Sequence, residues 1–306
     1  MKVFLSGGTG FVGNHVLSAL LSEGNDIVLL VHKRRGIFGH DVEQVEGDIT
    51  IPATFADGLK GCDAVINLVG IIREFPSRGV TFENLHVKAT KNLADAAGRA
   101  GIRRYIQMSA LGTKPNASSR YHQSKFHAEE FVRSSGLDWT IFRPSLIYGP
   151  KDDFVNKLAG LVRSLPVVPV VGDGTYRLQP ISADDVARCF AMALKMPETV
   201  AKTYELCGPD RFSYNDILDT IGLAMGKTNV IKVRNPLPLM KAIVPIVQRF
   251  PLFPITMDQI QMLLEENICD GNWRETFRFE PERFADGIYR YLCVKKNGGQ
   301  SPANDC

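Results

Sequence analysis

The sequence predicts an α/β fold, a doubly wound parallel sheet with a smaller, mostly helical C-terminal lobe. Three observations carry that expectation. Short apolar runs alternate with helix-period segments through the first two thirds of the chain. A glycine-rich turn separates the first strand from the first helix. The alternation breaks down after residue 150, where prolines and glycines interrupt it.

KVFLS, residues 2–6, reads as a short buried strand. The helix that follows places Val12, Val16 and Leu20 on one face, with Leu17 and Leu21 beside them, and stops at Gly24. DIVLLV is the second strand, VEQVEGD the third, DAVINLVG the fourth, RRYIQMSA the fifth and DWTIFRPS the sixth. Two amphipathic helices, within residues 82–101 and 121–136, end in glycine. Strand, helix, strand at this spacing means parallel pairing. Residues 1–150 form this core, and 181–206, a helix and a strand, are expected to return to it. Residues 151–180 and 207–294 make the smaller lobe, with 161–182 irregular and 295–306 a disordered tail. Ligands in such sheets sit at the carboxyl ends of the strands, so the lobe is expected to roof the site.

Composition excludes several classes. With 306 residues, 44% hydrophobic and 23% charged, the chain suits a globular protein with ample core. A net charge of +3 is too small to argue for a nucleic-acid partner. The six cysteines, 62, 189, 207, 269, 293 and 306, form no CxxC or Cys/His cluster. No metal site is read, and reduced, buried thiols in a cytoplasmic setting are expected. No leader peptide is read, and no apolar run is long enough to span a bilayer.

SGGTGFVG puts Gly7, Gly10 and Gly13 at G-x-x-G-x-x-G spacing between a strand and a helix. Gly7 permits the tight turn, Gly10 lets backbone approach a pyrophosphate, and Gly13 lets the helix pack on the strand. Thr9, Phe11 and Val12 complete this Rossmann-type turn and are read as cofactor contacts. The second strand ends Val31, His32, Lys33, Arg34, Arg35, with no acid to hold the ribose hydroxyls of NAD. A basic run can pair with a 2′-phosphate, so NADP(H) is favoured over NAD(H); the alternative is a solvated basic loop. Asp48 and Ile49 sit where an adenine edge is read, and Leu68, Val69 and Gly70 are expected to line the far side of the cofactor.

Tyr121 and Lys125 are four residues apart on a helix and share a face. A lysine cation alongside favours the phenolate and lowers the tyrosine pKa. Such a pair can move a proton at a substrate oxygen while hydride moves at nicotinamide.

With these residues in hand, the chain resembles the short-chain dehydrogenase/reductase superfamily, in its extended or atypical branch. The resemblance rests on GGTGFVG, GDI, YHQSK, FRPSLIYGP and PISADDVA and covers nearly the whole chain. PITMDQIQMLLEENI and FEPERFADGIYRYL resemble the NAD(P)-binding accessory subunits of respiratory complex I and their bacterial epimerase/dehydratase-like relatives. The resemblance implies an Asn, Ser/Thr, Tyr, Lys tetrad. Here the hydroxyl position falls on Ala110, with Ser109 on the opposite face of the strand, and the Asn position falls on His86. His86, Met108, Ser109, Pro144, Ser145 and Ile147 are implied neighbours of the cofactor.

Two functions follow. One is an NAD(P)-dependent oxidoreductase or epimerase-like enzyme with Tyr121 and Lys125 moving the proton, on a small, hydrophobic, quinone- or isoprenoid-like substrate. The other is a non-catalytic nucleotide-binding subunit or assembly factor of a membrane-associated complex. The apolar stretch 235–254 reads as a packed lobe or as a surface resting on a membrane or partner. His122 and His127 are expected on the exposed surface, and His15 is given no role.

Overall fold

The computed structural model describes residues 1–33, 42–247 and 256–293. β1 (Lys2–Ser6) and β2 (Asp26–Val31) are buried along nearly their whole length. Strands covered on both faces lose their period-two alternation, which is why they read as continuous apolar runs. α1 (Phe11–Ser22) joins them and buries Val16, Leu17 and Leu20. β3 (Glu43–Glu46) and β4 (Ala64–Asn67) follow. A π-helical turn, Glu83–Lys88, runs into α2 (Ala89–Arg99), then β5 (Arg104–Met108), α3 (Arg120–Ser134) and β6 (Asp138–Pro144).

Beyond β6 come β7 (Ile147–Tyr148), α4 (Asp153–Ser164), β8 (Val168–Val171), β9 (Arg177–Leu178) and β10 (Ile181–Ser182). The stretch expected to be irregular therefore holds three short strands, cut by Pro and Gly into pieces too brief to show a period. α5 (Ala183–Ala193) and β11 (Lys202–Leu206) come next. The chain then forms β12 (Phe212–Ser213), α6 (Tyr214–Ala224), β13 (Lys232–Asn235), α7 (Leu237–Val247), α8 (Met257–Leu264), α9 (Trp273–Phe277) and α10 (Phe284–Leu292). Residues 248–255 of the apolar stretch and the expected tail lie outside the described residues.

Seven strands form one parallel sheet in the order β11-β6-β5-β4-β1-β2-β3. The order reverses between β1 and β4, which makes the crevice at their carboxyl ends the place for a ligand. The chain divides into two compact units. The first holds residues 1–144, 183–206 and 272–278, and the second holds 145–182, 207–271 and 279 onward. In the first, Phe4, Val28, Val65, Leu93, Tyr105 and Ile141 belong to one buried cluster. α9 joins this unit because Phe277 packs on Phe142 of β6 and Tyr204 of β11, at 5.7 and 5.2 Å between ring centroids. In the second, Tyr148, Val155, Ile217, Phe284 and Ile288 share another cluster.

The cysteines correct an expectation. Cys207 and Cys269 form a disulfide with their Cα atoms 6.1 Å apart, across 62 residues of sequence. Buried Gln179 brings the two segments together: its Nε2 donates to the Gly208 carbonyl at 2.7 Å and its Oε1 accepts from the Cys269 amide at 3.1 Å. Spacing in sequence carries no trace of that meeting, and the disulfide removes one support for a cytoplasmic setting. Cys62 and Cys189 are free and buried.

Thiol labelling tests this arrangement. In the folded protein Cys62 and Cys189 should stay unlabelled until denaturant is added, and Cys207 and Cys269 should label only after a reductant as well. Closing a loop of this length should stabilise the oxidised form by about 4 kcal/mol in the chain-entropy account, read from denaturant midpoints with and without reductant.

Candidate nucleotide and catalytic site

The glycine turn lies at the reversal point. Gly7 has φ +77°, and a Cβ there would come 2.8 Å from the Leu68 carbonyl carbon and 2.9 Å from the Val69 nitrogen. A Cβ on Gly13 would lie 2.6 Å from Gly8 Cα and closer still to the Gly7 carbonyl oxygen. Both positions exclude a side chain. Gly10 is different, because its nearest neighbour would be the Gly7 oxygen at 3.4 Å. α1 has neither a side-chain cap nor an acidic residue in its first turn. Its ladder starts with Asn14 N–H to the Gly10 carbonyl at 3.0 Å, so the amides of Phe11, Val12 and Gly13 lie ahead of the ladder. That set of N–H groups and the helix dipole fits a pyrophosphate. Thr9, half-buried, accepts at its carbonyl from Asn14 Nδ2 at 3.4 Å.

Beneath the turn runs a buried polar network. Ser6 Oγ donates to Asn67 Oδ1 at 2.8 Å, and Asn67 Nδ2 donates to Gln107 Oε1 at 3.0 Å and Thr90 Oγ1 at 3.2 Å. Asn67 Oδ1 also accepts from the Val69 amide at 3.2 Å, which shapes the loop Leu68–Gly70. Sequence reasoning missed these residues. The signal was present, since Ser6, Asn67 and Gln107 are polar side chains near the ends of otherwise apolar strands.

At the end of β2, His32 and Lys33 are exposed, and Arg34 lies outside the described residues. Asp48 Oδ1 accepts from the Thr50 amide and hydroxyl at 2.8 and 2.7 Å. Burial works to raise its pKa, but the Thr50 hydrogen bonds and nearby His32 outweigh it and hold the carboxyl below its ordinary value. Ile49 is buried, and its carbonyl accepts from Asn92 Nδ2 of α2 at 3.2 Å.

Ser119 caps α3, its Oγ accepting from the His122 amide at 3.2 Å. Tyr121 is 9% exposed and Lys125 only 2%. The Tyr121 ring lies among Phe82, His86 and His122, at 5.9, 5.4 and 5.2 Å between centroids. Lys125 Nζ donates to the Met108 carbonyl at 3.4 Å and would lie 2.9 Å from a Cβ on Gly70, so a side chain there would displace the ammonium. Glu129, fully buried one turn further, accepts from Arg143 Nε and Nη2 at 2.8 and 2.6 Å and from Arg133 Nη2 at 2.5 Å.

The expected direction of the tyrosine shift is reversed. Burial pushes the Tyr121 phenol up to about 12. Burial also lowers Lys125 to about 8, with the Glu129 carboxylate opposing. Desolvation alone sets the tyrosine shift, and the Lys125 ammonium donates to the Met108 carbonyl.

Ser109 Oγ pairs with Thr113 Oγ1 at 3.4 Å, both buried. No hydrogen bond joins Ser109 or Ser119 to the Tyr121 phenol among the described residues. His86 sits in the π-helical turn with both ring nitrogens engaged, Nε2 by the Ile71 amide at 3.0 Å and Nδ1 by Ser124 Oγ at 2.7 Å. His122, expected on the surface, is buried, its Nδ1 3.0 Å from Ser119 Oγ; the tight turn at Gly112 packs on its ring. His127 is exposed. His15 pairs with Asp184 at 2.6 Å and ties α1 to α5. Pro144 ends β6 and accepts from the Leu111 amide at 2.9 Å. Ser145 and Ile147 belong to the second unit, where Ser145 Oγ donates to the Gln179 carbonyl at 2.6 Å and Ile147 pairs with Ile181.

Residues 3–207 match the NAD dependent epimerase/dehydratase family. The chain belongs to this family. Among its relatives, a mitochondrial NADH dehydrogenase [ubiquinone] 1 alpha subcomplex subunit 9 from Arabidopsis thaliana is 31% identical over 288 residues, 87% of this chain and 70% of that protein. A ceramide reductase from Caulobacter vibrioides is 29% identical over 238 residues, 76% of this chain and 74% of that one. MoeE5, solved with UDP-glucuronic acid and NAD, superposes with a TM-score of 0.75 over 94% of this chain and 96% of its own, at 18% identity. That last likeness is one of fold.

The two glycines should behave differently. Gly13→Ala forces the turn apart and should cost about 1–3 kcal/mol of stability. Gly10→Ala should leave stability within about 0.5 kcal/mol. On the reading that a pyrophosphate sits at the first-turn amides of α1, it should still weaken nicotinamide dinucleotide binding by tenfold or more, on the order of 1.4 kcal/mol. Thermal melts and calorimetric titration separate the two effects.

Proposed function

We propose that the chain is an NAD(P)H-dependent reductase of a carbonyl or quinone group on an apolar substrate. The observation that carries the reading is that Tyr121 and Lys125, one turn apart on α3, are both buried, with the Lys125 ammonium held beside Gly70 and the Met108 carbonyl at the end of β5. A phenol pushed up to about 12 by burial is protonated at neutral pH, so Tyr121 suits a proton donor.

In this reading Gly7, Gly10 and Gly13 seat the pyrophosphate, with Thr9, Phe11 and Val12 around it. His32, Lys33 and Arg34 pair with a 2′-phosphate, Asp48 and Ile49 meet the adenine, and Leu68, Val69 and Gly70 flank the ribose. Met108, Ser109 and Pro144 border the nicotinamide. Lys125 holds the nicotinamide ribose. The bound nicotinamide supplies hydride to the substrate carbon, and Tyr121 delivers its proton to the substrate oxygen. Ala110 leaves no hydroxyl to polarise that oxygen, and a missing donor of this kind costs roughly 100- to 1000-fold. Slow turnover is therefore expected. The apolar character of α7, LPLMKAIVPIV, and the likeness to a ceramide reductase support an apolar substrate.

A second reading is a nucleotide-binding subunit at the periphery of a membrane complex. The 31% identity to a complex I subunit favours it. No helix among the described residues is long and apolar enough to cross a membrane.

Turnover separates the two. NADPH oxidation is followed against quinones, long-chain ketones and nucleotide sugars. Tyr121→Phe should keep nucleotide affinity and lose about 100-fold or more in rate. Lys125→Met should harm both, and Ala110→Ser should raise the rate. If the wild type binds NADPH yet oxidises it with none of the panel, and Tyr121→Phe behaves identically, the subunit reading stands.

Calorimetry tests the cofactor. NADPH should bind more tightly than NADH, and Lys33→Ala or Arg34→Ala should each remove about 1.5–3 kcal/mol of that preference. Equal affinity for the two nucleotides would defeat the idea.

A further inference from the structure

We propose that His86 is a positioning residue that pins the Tyr121–Lys125 helix to the loop after β4 through an imidazole fixed as the Nδ1–H tautomer. The inference rests on the reading of Tyr121 and Lys125 as the reacting pair. It departs from the expectation that His86 touches the cofactor.

The tautomer follows from one donor-only group. The Ile71 backbone amide donates to Nε2 at 3.0 Å, so Nε2 must carry the lone pair. The ring proton is then on Nδ1, 2.7 Å from Ser124 Oγ. Ser124 accepts it and donates its own hydroxyl proton to the Tyr121 carbonyl at 2.7 Å. The chain of bonds therefore has a single direction: Ile71 N–H to Nε2, Nδ1–H to Ser124, Ser124 O–H to the Tyr121 backbone. It joins the loop beyond Gly70 to the first turn of α3. No ring nitrogen is left for a nucleotide or for passing a proton.

Packing holds the ring in place. Phe82 stacks on it at 5.2 Å and 21°, and the Tyr121 ring meets it edge-on at 5.4 Å. The π-helical turn Glu83–Lys88 carries His86 at this position, where it is buried. Lys125 is the charged group that faces it, across Gly70: a Cβ there would lie 2.9 Å from Nζ and 3.6 Å from Nε2. A second cation is disfavoured at that spot, and burial with the Lys125 charge takes the His86 pKa down to about 2.

The test reads the ring itself, so it does not depend on turnover. Long-range proton–nitrogen NMR of the wild type should show His86 as Nδ1–H with no titration between about pH 5 and 8, where an ordinary histidine near 6.5 would titrate. A ring that titrates there, or that carries Nε2–H, overturns the proposal. His86→Phe keeps the stack on Phe82 and removes both nitrogens. Hydrogen exchange at the Ile71 amide should then speed up about fivefold or more, the scale of one lost hydrogen bond. His86→Gln, which can return an acceptor to Ile71, should restore protection. Unchanged exchange in His86→Phe also overturns the proposal. Where turnover is measurable, His86→Phe should cut it by roughly 100-fold through misplacement of Tyr121 while His86→Gln recovers part of the loss. Absence of turnover in the wild type would defeat the reductase reading and leave the tautomer result standing.

Discussion

The site depends on one close approach of backbone to backbone. The turn after β1 lies so near the end of β4 that a Cβ on Gly7 would strike the Leu68 carbonyl carbon and the Val69 nitrogen. Gly13 brings α1 equally close to the turn itself. These contacts place the first-turn amides of α1 beside the reversal point of the sheet, where a nucleotide fits. They also fix the height of the loop Leu68–Gly70, against which Lys125 and His86 are then set. A side chain at either glycine would separate elements that the rest of the site takes as given.

Charge around the pair is organised by burial. Lys125 is taken out of water, which depresses it, while Glu129 one turn away opposes that depression. In the interior Arg143 of β6 grips Glu129 through two nitrogens and Arg133 adds a third contact. The pairing spans α3 and β6, so the electrostatics of the lysine are tied to the strand whose end leads into the second unit. The energetic weight of such a buried group lies in its completeness, since removing one partner would strand a charge. Among the described residues Tyr121 has no such partner, and burial keeps it a phenol.

The second unit is held by longer-range ties. Gln179 bridges Gly208 and Cys269, and the disulfide closes beside it. Its core of Tyr148, Val155, Ile217, Phe284 and Ile288 comes from segments far apart in the chain.

The sequence by itself determined the parallel sheet, the glycine turn and the Tyr121–Lys125 face of α3. Each is local: a run of five or six apolar residues, glycines three apart, or side chains four apart on a helix all lie within the reach of a short window. Only the tertiary structure decided the pairing of Cys207 with Cys269, the burial of His122, the network of Ser6, Asn67 and Gln107, and the upward shift of the Tyr121 pKa. Those properties depend on which strands lie side by side and on how much water is excluded from them. Desolvation and hydrogen bonding across the sheet join residues tens of positions apart, and no spacing along the chain records them.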